Sequence, residues 1–180
     1  LEELGVPTEE WFGATLGPME TFDPRRHLAW ALSLFRLRCR MLQDVSALVV
    51  LGGKDDGKSW GRWAGIAEEV MIALALNKPV FVLGGAGGAA HAVGQLLGLD
   101  EAPVGLESCL APPVDTAFVE ELAAYAPSFD IPGMIDSPSD LTELRRFLYH
   151  RGVTTAAWPW NGLSQEENRQ LFACSMSGSE

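Results

Sequence analysis

Ser46–Lys54 reads SALVVLGGK, and Pro79–Gly88 reads PVFVLGGAGG. Each is a short apolar run that stops at paired glycines. A helical pattern follows each, over Gly65–Asn77 (GIAEEVMIALALN) and over Ala89–Leu97. Strand, glycine loop and helix, twice in tandem, predict a right-handed βαβ unit with parallel strands. Glycine lets a backbone approach a phosphate with no Cβ in the way. The helix behind each loop offers free N–H groups and the positive end of its dipole. Two such loops at the carboxyl ends of adjacent strands face one crevice, where open α/β sheets bind ligands.

Working outward, both strands lack polar alternation, which predicts burial on both faces. Asp23-Pro24 reads as a cap followed by proline at the first helical position. The helix it opens runs to about Leu42, with Leu28, Leu32, Phe35, Cys39 and Leu42 as its core stripe. Arg36 and Arg40 share one face of it. Gly98 reads as the residue that ends helix 89–97. A Pro-rich connection over 99–114 leads to a helix at about 116–126. Ser137-Pro138-Ser139-Asp140 opens another helix, to Arg151, and Val153–Ala157 reads as a third strand. Ser164-Gln165-Glu166-Glu167 is a capping box that starts a last short helix through Leu171. Residues 1–22, with several Gly and Pro, read as an irregular lead, and 23–180 as one nucleotide-binding domain.

The 180 residues are 47% hydrophobic, enough for a real core. The formal net charge of -11 argues against a nucleic-acid partner, which needs a broad basic surface. It leaves room for one anionic small molecule at a local positive site. Cys39, Cys109 and Cys174 match no zinc spacing and no disulfide framework, so no metal is expected and a cytoplasmic location is the simplest reading. Cys39 and Cys174 fall in helical patterns and read as buried hydrophobes. No apolar run is long enough to cross a bilayer, so no membrane partner is expected.

That local positive site is the loop Gly52–Trp63, GGKDDGKSWGRW. It is longer than the roughly 2–6 residues usual for a strand-to-helix connection. It gathers Lys54, Lys58 and Arg62, with Trp60 and Trp63, in an acidic chain. Cations beside indoles make a cradle for a phosphorylated, planar ligand, although the indoles can equally pack down on the sheet. Glu68 and Glu69 open the next helix. Helical spacing lets one of them face the crevice, to accept from ribose hydroxyls or to complement the helix dipole. Gly84–Gly88 departs from both GxGxxG and the P-loop pattern. His91 lies one turn beyond it, either near a ligand or as a structural histidine. No nucleophile elbow, metal cluster or catalytic triad is visible.

Three stretches of this chain resemble a known family. They are Ala47–Lys54 with Gly61–Glu69 (GRWAGIAEE), Pro79–Gly88, and Asn161–Phe172 (NGLSQEENRQLF). Across about 27–172 they resemble the SLOG superfamily, the Rossmann-like group that includes LOG-type phosphoribohydrolases, DprA proteins and sensor domains of bacterial antiphage systems. They look most like the SLOG domains attached to effectors in TIR- or sirtuin-linked Thoeris proteins. The resemblance implies a ligand of the cyclic ADP-ribose kind and an output through an attached effector or assembly. LOG enzymes carry PGGxGTxxE after a strand. Gly52-Gly53 and Gly65-Ile66-Ala67-Glu68-Glu69 look like its two halves, split by the charged loop, with Ile66 where the family has Thr. An early family strand is not evident, and the chain reads as part of a larger protein.

The expectation is therefore a Rossmann-like three-layer α/β sandwich with a mainly parallel sheet. It binds a nucleotide, ADP-ribose-like, and needs no other cofactor. Gly52, Gly53, Gly65, Gly84, Gly85, Gly87 and Gly88 supply amides and space, Lys54 and Arg62 neutralise phosphate, and Glu69 holds ribose. It reads as a sensor in antiphage defence, a homo-oligomer or the regulator of an attached effector, with no catalytic residues. The alternative is a LOG-like nucleotide phosphoribohydrolase, with Glu69 on the ribose side and Arg62 on the phosphate.

Overall fold

The computed structural model describes residues 24–54, 63–100, 110, 141–152 and 161–174. Helix α1 is Pro24–Asp44, followed by strand β1 at Leu48–Leu51 and helix α2 at Gly65–Ala75. Strand β2 is Val80–Leu83, and a 3-10 turn at Gly84–Ala86 leads into helix α3 at Gly88–Leu96. Helices α4, Leu141–Gly152, and α5, Gln165–Ala173, complete the described elements. The expected lead 1–22, helix 116–126 and strand 153–157 lie outside the described residues.

β1 and β2 are parallel neighbours in register, Leu48 opposite Val80 and Leu51 opposite Leu83. Both therefore end at one level, and their glycine loops start side by side. Leu48, Val50, Val80 and Val82 point to one buried face, which joins Ala67, Val70, Met71 and Ile72 of α2 and Ala89, Ala92 and Val93 of α3 in one core. The other face differs from expectation. Val49 and Leu51 are exposed, and Phe81 and Leu83 are half-buried. A uniformly apolar strand carries no alternation to mark which face is covered, so its composition does not distinguish one-sided from two-sided burial. The described residues form an α/β fold around a two-stranded parallel sheet.

Local chemistry sets the ends of the helices. α2 closes with Asn77 at φ +54, with Asn77 N–H on the Leu74 carbonyl and Lys78 N–H on that of Ala73. α3 closes the same way on Gly98 at φ +83, with Leu99 N–H on Gly94 and Gly98 N–H on Gln95. Both are the left-handed caps that satisfy orphan carbonyls. The Lys78 ammonium donates to the Val45 carbonyl at 2.9 Å and to that of Gln43 at 3.3 Å, fastening the end of α1 to the start of β2. α1 buries Ala31, Leu32, Cys39 and Leu42, with Phe35 packed against the core. Its opposite side leaves Trp30, Leu37 and Met41 exposed. The capping box of α5 forms as its sequence predicts: Glu167 N–H donates to Ser164 Oγ, and Ser164 N–H to the Glu167 carboxylate. Among the described residues no helix is long and apolar enough to cross a membrane.

Candidate functional site

The two glycine loops touch. Ala90 N–H, in the first turn of α3, donates to the Gly52 carbonyl at 2.8 Å. A Cβ on Gly88 would stand 2.2 Å from the Gly53 carbonyl oxygen, a distance no side chain tolerates. A Cβ on Gly53 would stand 2.8 Å from Ile66 and 3.3 Å from Ala89, at the starts of α2 and α3. One junction thus gathers the ends of both strands and the N-termini of both helices. Gly53 and Gly88, at φ +91 and +67, are held to glycine twice over, by their backbone conformation and by the tightness of the junction.

Gly52 and Gly87 share the positive φ without the crowding. Their φ angles are +58 and +70, and among the described residues nothing lies within 4 Å of a Cβ built on either. Their backbone turns into the left-handed region beside open space, where a ligand can approach. Gly85 is exposed in the turn that precedes Gly87, and Lys54 is exposed directly after Gly53. Arg62, the other cation expected on phosphate, lies outside the described residues, as do Lys58 and Trp60. Trp63 is buried in the core, the packed alternative for that indole. The remaining glycines of the expected set meet protein. A Cβ on Gly84 would strike the Phe172 ring at 2.1 Å, and one on Gly65 would strike Arg38 at 2.5 Å.

Arg38 is the residue that sequence reasoning passed over. It reaches from α1 to the start of α2, donating from Nη1 to Glu68 at 2.6 Å and from Nε to Glu69 at 3.4 Å. A cation at the positive end of a helix dipole is unfavourable alone, and the two acids of that first turn offset it. Glu68 is only 3% exposed. Burial pushes its carboxyl up to about 7, opposed by Arg38 and by a hydrogen bond from the Trp63 backbone N–H. Cys39, a buried neighbour, is pushed up to about 12 by burial, with the Glu68 charge adding to the effect. Glu69, the expected ribose ligand, therefore shares Arg38 with Glu68 and keeps about a quarter of its side chain exposed. A signal for Arg38 was present: it falls within the stripe that buries Phe35, Cys39 and Leu42, where a charge needs a buried partner.

Behind the second loop, His91 Nδ1 donates to the Gly84 carbonyl at 3.1 Å, and its ring stacks on Phe172. Cys174, expected to be buried, is exposed, because α5 stops at Ala173. Among the described residues no group of three or more His, Cys, Asp or Glu is placed to hold a metal ion.

Parallel strands ending in abutting glycine loops, with two helix N-termini converging on them, mark a nucleotide-related domain of Rossmann-like kind. A family model described as SLOG cluster2 matches residues 13–171, and the chain belongs to the SLOG superfamily. No curated protein matches it. No solved structure matches it either.

Proposed function

We propose that this domain is a sensor that binds an ADP-ribose-derived nucleotide in a crevice over the junction of the two glycine loops. One observation carries the reading: the loops are in backbone contact at the ends of paired parallel strands, with Gly52 and Gly87 turned toward open space. Phosphate takes the amides of Gly88 and Ala89 at the start of α3 and the dipole of that helix, with Lys54 and Arg62 as counter-charges. Glu69 accepts from ribose. Family membership supports the nucleotide class; the ADP-ribose kind follows from the resemblance to antiphage sensor domains. The output is ligand-strengthened self-association or control of an attached effector in antiphage defence. The candidate face is the outer side of α1, where Trp30, Leu34, Leu37 and Met41 recur at the spacing by which helices pair with helices. Its occupant is a second copy of the chain. Thermal denaturation with NAD, ADP-ribose and cyclic ADP-ribose isomers tests the sensor. A ligand that binds only the folded state raises the midpoint, and no shift with any of them overturns the reading.

A second reading is favoured by one feature. The Arg38–Glu68–Glu69 cluster begins two residues beyond Ile66, which packs on Gly53, and burial pushes the Glu68 carboxyl up to about 7. Such a carboxyl is suited to proton transfer, the need of an N-glycosidic hydrolase. Incubation with AMP-like substrates followed by chromatography separates the two: free base supports the hydrolase, and intact nucleotide the sensor.

A further inference from the structure

Gly84 and Gly94 take no positive φ, unlike Gly52, Gly53, Gly87, Gly88, Gly98 and Gly162. Their need is space, and one ring accounts for both. A Cβ on Gly84 would lie 2.1 Å from Phe172 Cε2, and a Cβ on Gly94 would lie 2.2 Å from the same atom. One glycine opens the second loop and the other lies in the last turn of α3, yet a single side chain from α5 keeps both bare. Phe172 is buried there and stacks on His91, centroids 5.0 Å apart at 27°. A carbonyl only accepts, so His91 Nδ1 carries the proton in its bond to Gly84 O. The same Gly84 oxygen accepts from Gly87 N–H at 2.8 Å, the bond that closes the turn. Gly84 O is thus the hub of the loop, gripped from inside by Gly87 and from outside by a histidine whose plane Phe172 fixes.

α5 is fastened at its other end as well. Asn161 Nδ2 donates to the Val80 carbonyl at 2.9 Å and to Asn168 Oδ1 at 2.7 Å. Asn168, itself buried, donates back to the Ser164 carbonyl at 3.0 Å. From Ser164 to Phe172 a helix rises roughly 12 Å. From Val80 to Gly84 a strand spans roughly 13 Å. The lengths match, so α5 runs beside β2 and is pinned at both of its ends.

We propose that Phe172 and His91 form a positioning unit for the second glycine loop, which makes α5 part of the nucleotide crevice although it supplies no ligand contact. The consequence for binding rests on the nucleotide reading above; the effect on the loop does not. Hydrogen exchange of the ligand-free protein tests the loop directly, in Phe172→Leu and in Gly94→Ala, which reaches the loop only by displacing the ring. Exchange of the Gly87 and Ala90 amides is expected to quicken about tenfold or more in both, while α1 and the centre of α2 stay within about twofold. Unchanged Gly87 exchange in Gly94→Ala, or an equal rise at every core amide, overturns the proposal. Calorimetry with ADP-ribose forms the second arm, with an expected loss of about tenfold in affinity in both variants. An absence of binding by the unaltered protein counts against the nucleotide reading alone, and the exchange result still decides the role of Phe172.

Discussion

Gly88 and Gly52 face each other across the loop junction, both at positive φ, but only one of them is crowded. A Cβ on Gly88 would meet the Gly53 carbonyl, whereas one on Gly52 would meet nothing within 4 Å among the described residues. Gly88→Ala therefore forces the loops apart and is expected to cost roughly 3 kcal/mol of stability, read from urea midpoints. Gly52→Asn keeps a residue that tolerates the left-handed region, so its midpoint is expected to stay close to that of the parent while affinity for ADP-ribose falls. Glu68 supplies a second residue-level test. Its folded pKa of about 7 lies above the ordinary 4.5. Below the lower value both states are protonated. Between the two the folded chain keeps a proton that the unfolded chain has released, so stability falls as pH rises, and the loss is complete above about 7. Glu68→Gln removes that titration. The drop in unfolding free energy between about pH 5 and pH 7.5 is expected to shrink by on the order of 2–3 kcal/mol. An undiminished drop means that Glu68 does not carry it.

At the scale of elements, α1 and α5 act on the site from outside the βαβ unit. Arg38 of α1 holds the first turn of α2 by pairing with Glu68 and Glu69. Arg38→Met leaves Glu68 buried without its cation and is expected to destabilise the fold by roughly 2–4 kcal/mol at neutral pH, limited because Glu68 can take a proton instead. Much of this level was legible in the sequence. The two apolar runs, the helices behind their glycines, the stripe of Leu32, Cys39 and Leu42 and the Ser164 capping box are local patterns, and local patterns are what periodicity and capping chemistry report. One-sided burial of β1, the reach of Arg38 and the seat of Phe172 were not legible. Each depends on which distant elements meet: Arg38 pairs across some thirty positions of chain. The glycines show the same division. That Gly84–Gly88 had to be a special turn was readable from GGAGG. That Gly84 is bare for a ring nearly ninety residues on was not.

At the scale of the whole molecule, an acidic chain with net charge -11 presents a helix whose exposed side carries Trp30, Leu37 and Met41, the Leu37 side fully 63% exposed. Arg40 and Asp44 pair along its flank at 3.5 Å, too exposed to contribute much. Pairing of this face with a second copy is expected to strengthen with nucleotide, since a ligand shifts an equilibrium only by preferring one state. Light scattering with and without ADP-ribose reads it. Leu37→Asp is expected to leave a monomer in both conditions, and a monomeric parent in both contradicts assembly while leaving the crevice untouched. The crevice itself is tested most directly by following backbone amide resonances during a titration with ADP-ribose. The account predicts saturable shifts concentrated at Gly52–Lys54 and Gly85–Ala89, on both loops together. No shift at saturating nucleotide, or shifts confined to surfaces away from the two loops, would contradict it.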